Sequence, residues 1–235
     1  MTNYKLIRIS SILTIIGCFL FIILTTIAML TYPGGTFANN SLDKYNFLEN
    51  FFSDLGLITA HNGENNIVSR VLFTTALTLV GLVVLFYFII LPPIFKEKKS
   101  TKWLSLFGSF NGVVCAFGYI GVAFVPLDLN GVLHSTFVYM SFSAILVALI
   151  LYVIAIFLTE TFSNFFAIIY IILGAILLGY LVILYGHNFI AALDHEIVQV
   201  LGQKIVVYSE IVTFLIQGIG TLILTQKEKA IIASL

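Results

Sequence analysis

Whatever chemistry this sequence can do rests on its four histidines and the acids near them. His61, His134, His187 and His195 fall in or beside polar stretches, and Asp54, Asp128, Asp194 and Glu196 stand close by. Three separate stretches each place a histidine within seven residues of an aspartate. Histidine and carboxylate are common zinc ligands, and zinc with an open position activates water. The same groups serve proton relays and general acid–base catalysis. Candidate catalytic residues are therefore Ser53 (or a water) as nucleophile, with Asp54, His134 and His195 as ligands or acid–base groups. Candidate zinc ligands are His134, His187, Asp194 and His195. No HExxH-type spacing accompanies them. Polar residues in a membrane chain cost least in its loops, so scattered loop residues are the competing reading.

A second signal runs through the last apolar stretch. Glu196, Gln199, Gln203, Glu210, Thr213, Gln217 and Thr221 recur every three, four or seven residues. On a helix they form one polar stripe, which should face a bundle interior because a charge in hydrocarbon is costly. Glu210 needs a partner, and Arg70 is the strong base expected at its depth. The expected pair is Arg70 with Glu210 or with Asp54, either as a functional unit or as packing. Asn111 is an amide inside an apolar run, where an interhelical hydrogen bond is the usual role. Together, Asp54, Arg70, Asn111, Asp128, His134 and Glu210 are the candidate ligand-binding residues.

These residues need a frame. The chain has 235 residues, 60% hydrophobic and 9% charged. Water-facing domains carry about 25% charged residues, so this is an integral membrane protein. A net charge of zero offers no footprint for nucleic acid. Six runs reach the roughly 20 apolar residues that a spanning helix needs: Ile9–Tyr32, Ile67–Phe95, Trp103–Val125, Val132–Leu158, Phe165–Gly186 and Ile205–Thr225. No dyad alternation suggests a barrel. The expected fold is all-α, with six transmembrane helices in one bundle. The first run is too long for a signal-peptide core and is read as a retained helix. Lys5, Arg8, Lys96, Lys98, Lys99, Lys102, Lys227 and Lys229 fall at one end, so both termini should be cytoplasmic. Loops 33–66, 126–131 and 187–204 should then face outward. Pro92-Pro93 should end or kink the second helix.

The longest polar interruption, Tyr45–Arg70, should be an ordered loop. In its Ser53-Asp54-Leu55-Gly56 segment, Gly56 allows a tight turn and Asp54 can cap backbone or meet Arg70. His61 has only its position to recommend it. Ser105, Gly108, Ser109, Gly112, Ala116 and Tyr119 form a small-residue packing stripe on the third helix. Cys18 and Cys115 read as small buried hydrophobes. The many Phe and Tyr read as lipid-facing and interfacial residues. A retinal Schiff base would need a mid-helix lysine, and Lys204 stands at a helix end.

Several short motifs resemble a known family. They are Tyr32-Pro33-Gly34, Asn50-Phe51-Phe52-Ser53-Asp54-Leu55-Gly56, Asn65-Asn66 with Ser69, Gly108 with Asn111-Gly112, Phe124-Val125-Pro126-Leu127-Asp128, and His134. Residues 30–140 resemble the prokaryotic membrane family called domain of unknown function 998. They are more distantly similar to the eukaryotic Frag1/DRAM/Sfk1 group, with its six-helix layout and its His opening the fourth helix. The resemblance implies importance for Ser53, Asp54, Gly56, Asn111, Asp128 and His134. The first family has no established activity, and the second group is associated with membrane-lipid organisation and the remodelling of glycolipid anchors.

Three functions compete. The first is lipid binding or organisation through an outward-facing polar pocket, with membrane lipid as partner. The second is a membrane-embedded lipid hydrolase or acyl-transfer enzyme, zinc-dependent or not. The third is a small proton-coupled transporter using Glu210 and Arg70, although the helices lack the paired interruptions common in transporters.

Overall fold

A computed structural model describes residues 4–186, 189 and 196–233 of the chain, with side chains described up to residue 226. Its helices are α1 (Tyr4–Thr31), α2 (Ile67–Ile90), α3 (Lys99–Phe124), α4 (Gly131–Phe157), α5 (Asn164–Gly186) and α6 (Glu196–Ala233). All six are long and apolar enough to cross a membrane. Two short 3₁₀ turns, Phe52–Gly56 and Pro92–Phe95, complete the regular structure of the described residues.

Local chemistry explains the boundaries. The two prolines end α2 at Ile90, and the chain continues as the 3₁₀ turn they open. Asn130 caps α4 by accepting a 3.0 Å hydrogen bond from the Leu133 amide. Three helices start well before their apolar runs, α1 at Tyr4 rather than Ile9 among them. α3 starts at Lys99, inside the lysine-rich connection, and α6 starts at Glu196 rather than at Ile205. An acidic residue in a first turn complements the helix dipole, and this one carries α6 through a half-polar segment that hydropathy alone leaves out. Lys204 therefore lies within α6, not at its end.

Each helix packs against its neighbours in sequence, and α6 closes onto α1, so the six form a closed ring. Small residues bring α3 close to its neighbours. A Cβ on Gly112 would lie 2.2 Å from the Phe88 ring, and one on Gly108 would lie 2.9 Å from Tyr152. The polar stripe of α6 faces inward as its spacing predicts. The Gln217 amide donates to the Phe166 carbonyl at 2.8 Å, and the hydroxyls of Thr221 and Ser11 meet at 2.7 Å. Cys18 and Cys115 are buried and unpaired with each other. The aromatics do not all face lipid. Phe107, Phe110 and Phe117 do lie on the exposed apolar surface, but Phe21, Phe88, Tyr87, Tyr152 and Tyr170 are buried core residues. In a closed ring the interior needs large side chains to fill it.

The segment between α1 and α2 folds over one mouth of the ring. Phe52 anchors it, stacking on Phe21 of α1 at 5.8 Å and meeting Phe73 of α2 and Tyr208 of α6 edge-on. Burying such a ring contributes about 1.5–3 kcal/mol relative to exposure. The Pro33-Gly34-Gly35 stretch after α1 is a turn, as its composition predicts. Gly34, Gly35 and Gly63 carry positive φ angles, and a Cβ on Gly34 or Gly35 would strike loop backbone. Gly56 has ordinary backbone; it is needed because a Cβ there would lie 2.8 Å from the Phe73 ring.

Candidate functional site

Polar groups gather in three places, and they differ in how fully they are bonded. The first is the knot inside the loop. Asp54 is 2% exposed. Its Oδ2 accepts from the Asn50 amide at 3.0 Å and from the Phe51 N–H at 3.0 Å, and lies 3.3 Å from His61 Nε2. Asn50 also donates to the Gly35 carbonyl at 2.9 Å. From α6, Gln203 Oε1 accepts the Phe52 N–H at 2.7 Å, and the Lys204 ammonium donates to the Asn50 carbonyl. Lys204 is 2% exposed and lies over the rings of Tyr45 and Phe47 at 5.6 and 5.0 Å. Such a cation–π seat replaces part of the hydration that an ammonium loses on burial. The hydrogen bond to Asp54 raises the His61 pKa above its ordinary value, reinforced by the charges of Asp54, Glu196 and Asp128 and opposed by partial burial.

The knot's neighbours brace the loop against α2, α3 and α4. Asp128 accepts from the amides of Ile58 and Thr59 at 2.9 and 3.0 Å. The Asn66 amide reaches the Leu57 carbonyl at 2.9 Å, and the Ser69 hydroxyl reaches that of Leu55 at 3.2 Å. His134 is buried with Nδ1 2.7 Å from the Val125 carbonyl, which favours a proton on that nitrogen. His134 thus bonds the α3–α4 turn, Asp54 bonds its own loop, and Ser53 borders the ring interior.

The second place is a groove of about 340 Å³ between α2 and α3 near the same mouth. Arg70 lines it together with Ile58, Val71, Thr74, Phe124 and Leu129. The expected pair does not form: among the described residues no ion pair joins Arg70 to Glu210 or to Asp54. Asp54 Oδ2 is bonded within the loop, and Glu210 belongs to the third place, the ring interior. There Glu210 Oε2 accepts a 2.6 Å hydrogen bond from the Tyr119 hydroxyl of α3.

Other expectations change with the geometry. Among the described residues Asn111 makes no interhelical bond; its amide donates to the Phe107 carbonyl of its own helix at 2.9 Å. Tyr119 is the acid's partner rather than only a packing residue. Of the described histidines, His61 is the one that meets Asp54. Among the described residues no three His, Cys, Asp or Glu side chains form a group able to hold a metal ion. Of the candidate zinc ligands, His187, Asp194 and His195 lie outside the described residues.

Sequence reasoning missed Lys204 and Asn50. The spacing of Asn50 and Asp54, four apart, was a usable sign that both could serve one turn. Lys204 became legible only once α6 was known to start before it. The chain matches no family model, no curated protein and no solved structure in comparisons with each.

Proposed function

We propose that this multi-pass membrane protein binds lipid and holds an anionic headgroup against Arg70, where α2 and α3 meet beside the loop. The loop end faces outward from a plasma membrane, and both termini are cytoplasmic. The lysine-rich character of the opposite end supports that orientation. The observation that carries the reading is Arg70 itself. It is a half-buried guanidinium in a largely apolar groove, with no ion pair among the described residues. An arginine fork matches a phosphate through two parallel hydrogen bonds. The Val71, Phe124 and Leu129 side chains offer an acyl chain an apolar wall. The motif likeness to membrane families, one of them associated with lipid organisation, agrees with this.

Native mass spectrometry of the full chain released from mixed phosphatidylglycerol and phosphatidylcholine nanodiscs tests it. The wild type should retain the anionic lipid about tenfold over the zwitterionic one, or about 1.4 kcal/mol, and Arg70→Gln should abolish that preference. Added inorganic phosphate should compete only weakly if the whole lipid is recognised. Equal retention of both lipids by the wild type, or an unchanged preference in Arg70→Gln, rules the site out.

A further inference from the structure

Beneath the loop, the ring encloses a cavity of about 60 Å³. At the roughly 10–15 Å³ that one water requires, it holds about four. Phe52 and Ser53 form part of its wall on the loop side, and residues of α1, α2, α3, α4 and α6 line the rest. Glu210 also lines it, 4% exposed, held through Oε2 by the Tyr119 hydroxyl. The other carboxylate oxygen, Oε1, is buried with no hydrogen-bond partner among the described residues. No lysine, arginine or histidine is among the described lining residues. Lys204, earlier on α6, is bonded to the Asn50 carbonyl in the loop knot. The titratable groups around Glu210 are Tyr119 and Cys115 of α3 and Tyr180 of α5. The loop, α1, α2 and α4 present none to the cavity among the described residues.

Phenols and thiols are uncharged at neutral pH, so a carboxylate here would stand without a countercharge in a mostly apolar space. A buried charge in that position has to be paired or neutralised. Metal ions fit the wall poorly. Gln203 Oε1, Ser141 Oγ and Tyr119 Oη already make protein hydrogen bonds, which leaves too few oxygens for a calcium or magnesium ion with its roughly six or more ligands. A proton needs one oxygen, and Glu210 Oε1 is the oxygen without a partner. We propose that Glu210 is a proton-binding site of the ring interior, with Oε1 protonated at neutral pH and exchanging its proton with water held in the cavity. The proton leaves a water and bonds to Oε1, which turns the carboxylate into a neutral carboxyl. Oε2 becomes the carbonyl oxygen and keeps its hydrogen bond from Tyr119. Release returns the proton to water and restores the carboxylate. Water in the cavity can also bond the polar side chains of Ser53, Ser141 and Gln203, which lie among its lining residues. The proposal does not depend on lipid binding at Arg70, which lies in a different groove.

Infrared difference spectroscopy of the full chain in an ester-free detergent tests it, with exchange from H₂O into D₂O as the probe. At neutral pH the wild type should show the carbonyl stretch of a protonated carboxyl. That band should move to lower frequency in D₂O as the O–H becomes O–D. Glu210→Gln, nearly identical in shape, should lose the band. Tyr119→Phe should keep it and move it to higher frequency, because a carbonyl stiffens when it loses a hydrogen bond. An ionised acid that only braces Tyr119 would give no such band. Absence of the band in the wild type, its persistence in Glu210→Gln, or the lack of a shift in D₂O would each overturn the proposal. Should Glu210→Gln fail to fold, the shift in Tyr119→Phe identifies the band instead, and an unmoved band there overturns its assignment to Glu210.

Discussion

The loop knot and the ring interior each hold a buried carboxylate, but their surroundings differ in kind. Asp54 Oδ2 gathers two hydrogen-bond donors and a histidine within one short stretch of chain, and a lysine bonds the neighbouring Asn50 carbonyl. Glu210 receives one hydroxyl and leaves an oxygen without a protein partner beside an open space. Each hydrogen bond that Asp54 Oδ2 accepts fixes the loop to itself. Glu210 fixes little and keeps capacity for something else. Density of polar residues in the sequence marks the first place, whereas the second is a lone acid on the stripe of α6, set apart in the structure by its unmet hydrogen bond. A crowded polar cluster can be scaffolding, and a lone acid in an apolar chamber can be the site.

Substitution should separate the two carboxylates by stability. Asp54→Ala leaves the Asn50 amide and the Phe51 N–H without their acceptor in a buried position. It should cost about 3 kcal/mol, read as a lowered unfolding midpoint in detergent. A change below about 1 kcal/mol, the typical cost of a single substitution, would mean that the knot does not hold the loop.

The next effect is a pH dependence. The folded-state pKa of His61 is raised by Asp54. The stabilisation it supplies is therefore complete below the unfolded value, about 6.5, and fades as pH rises through the folded value. Hydrogen exchange in residues 45–66, corrected for intrinsic rates, should show more protection at about pH 5.5 than at about pH 8. That difference should vanish in His61→Gln. Persistence of the difference in the variant would assign it to another group.

The smallest effect should come from Glu210→Gln. The amide oxygen still accepts from Tyr119, so the loss of stability should be about 1 kcal/mol, well below that of Asp54→Ala. A loss as large as that of Asp54→Ala would make Glu210 a structural acid and remove the contrast.

Much of the fold was legible because hydrophobic length is a property of the chain itself. The six helices, the stop at Pro92, the inward stripe of α6 and the close packing at Gly112 all follow from residue type and spacing. The start of α6 was legible only in part: its polar stripe already began at Glu196, but Glu196 to Lys204 is too polar to read as spanning sequence, which put the apolar run at Ile205. That error hid the burial of Lys204. The Arg70–Glu210 pair failed for a related reason. Depth along a helix can be counted, but rotation about the helix axis depends on its neighbours. Arg70 faces the α2–α3 groove while Glu210 faces the interior. His61 was undervalued because its partner lies seven residues away in a loop, where no period applies.

The sequence by itself determined that the chain is a membrane protein of six helices, and it singled out Asp54 and Glu210 as acids to be explained. Those facts rest on apolar run length and on the cost of burying charge, both of which act residue by residue. Only the tertiary structure decided that Asp54 closes a loop while Glu210 faces a chamber walled by aromatic rings. Which groups share a cavity depends on ring closure between α1 and α6 and on the helices' rotations, set by packing among residues far apart in the chain.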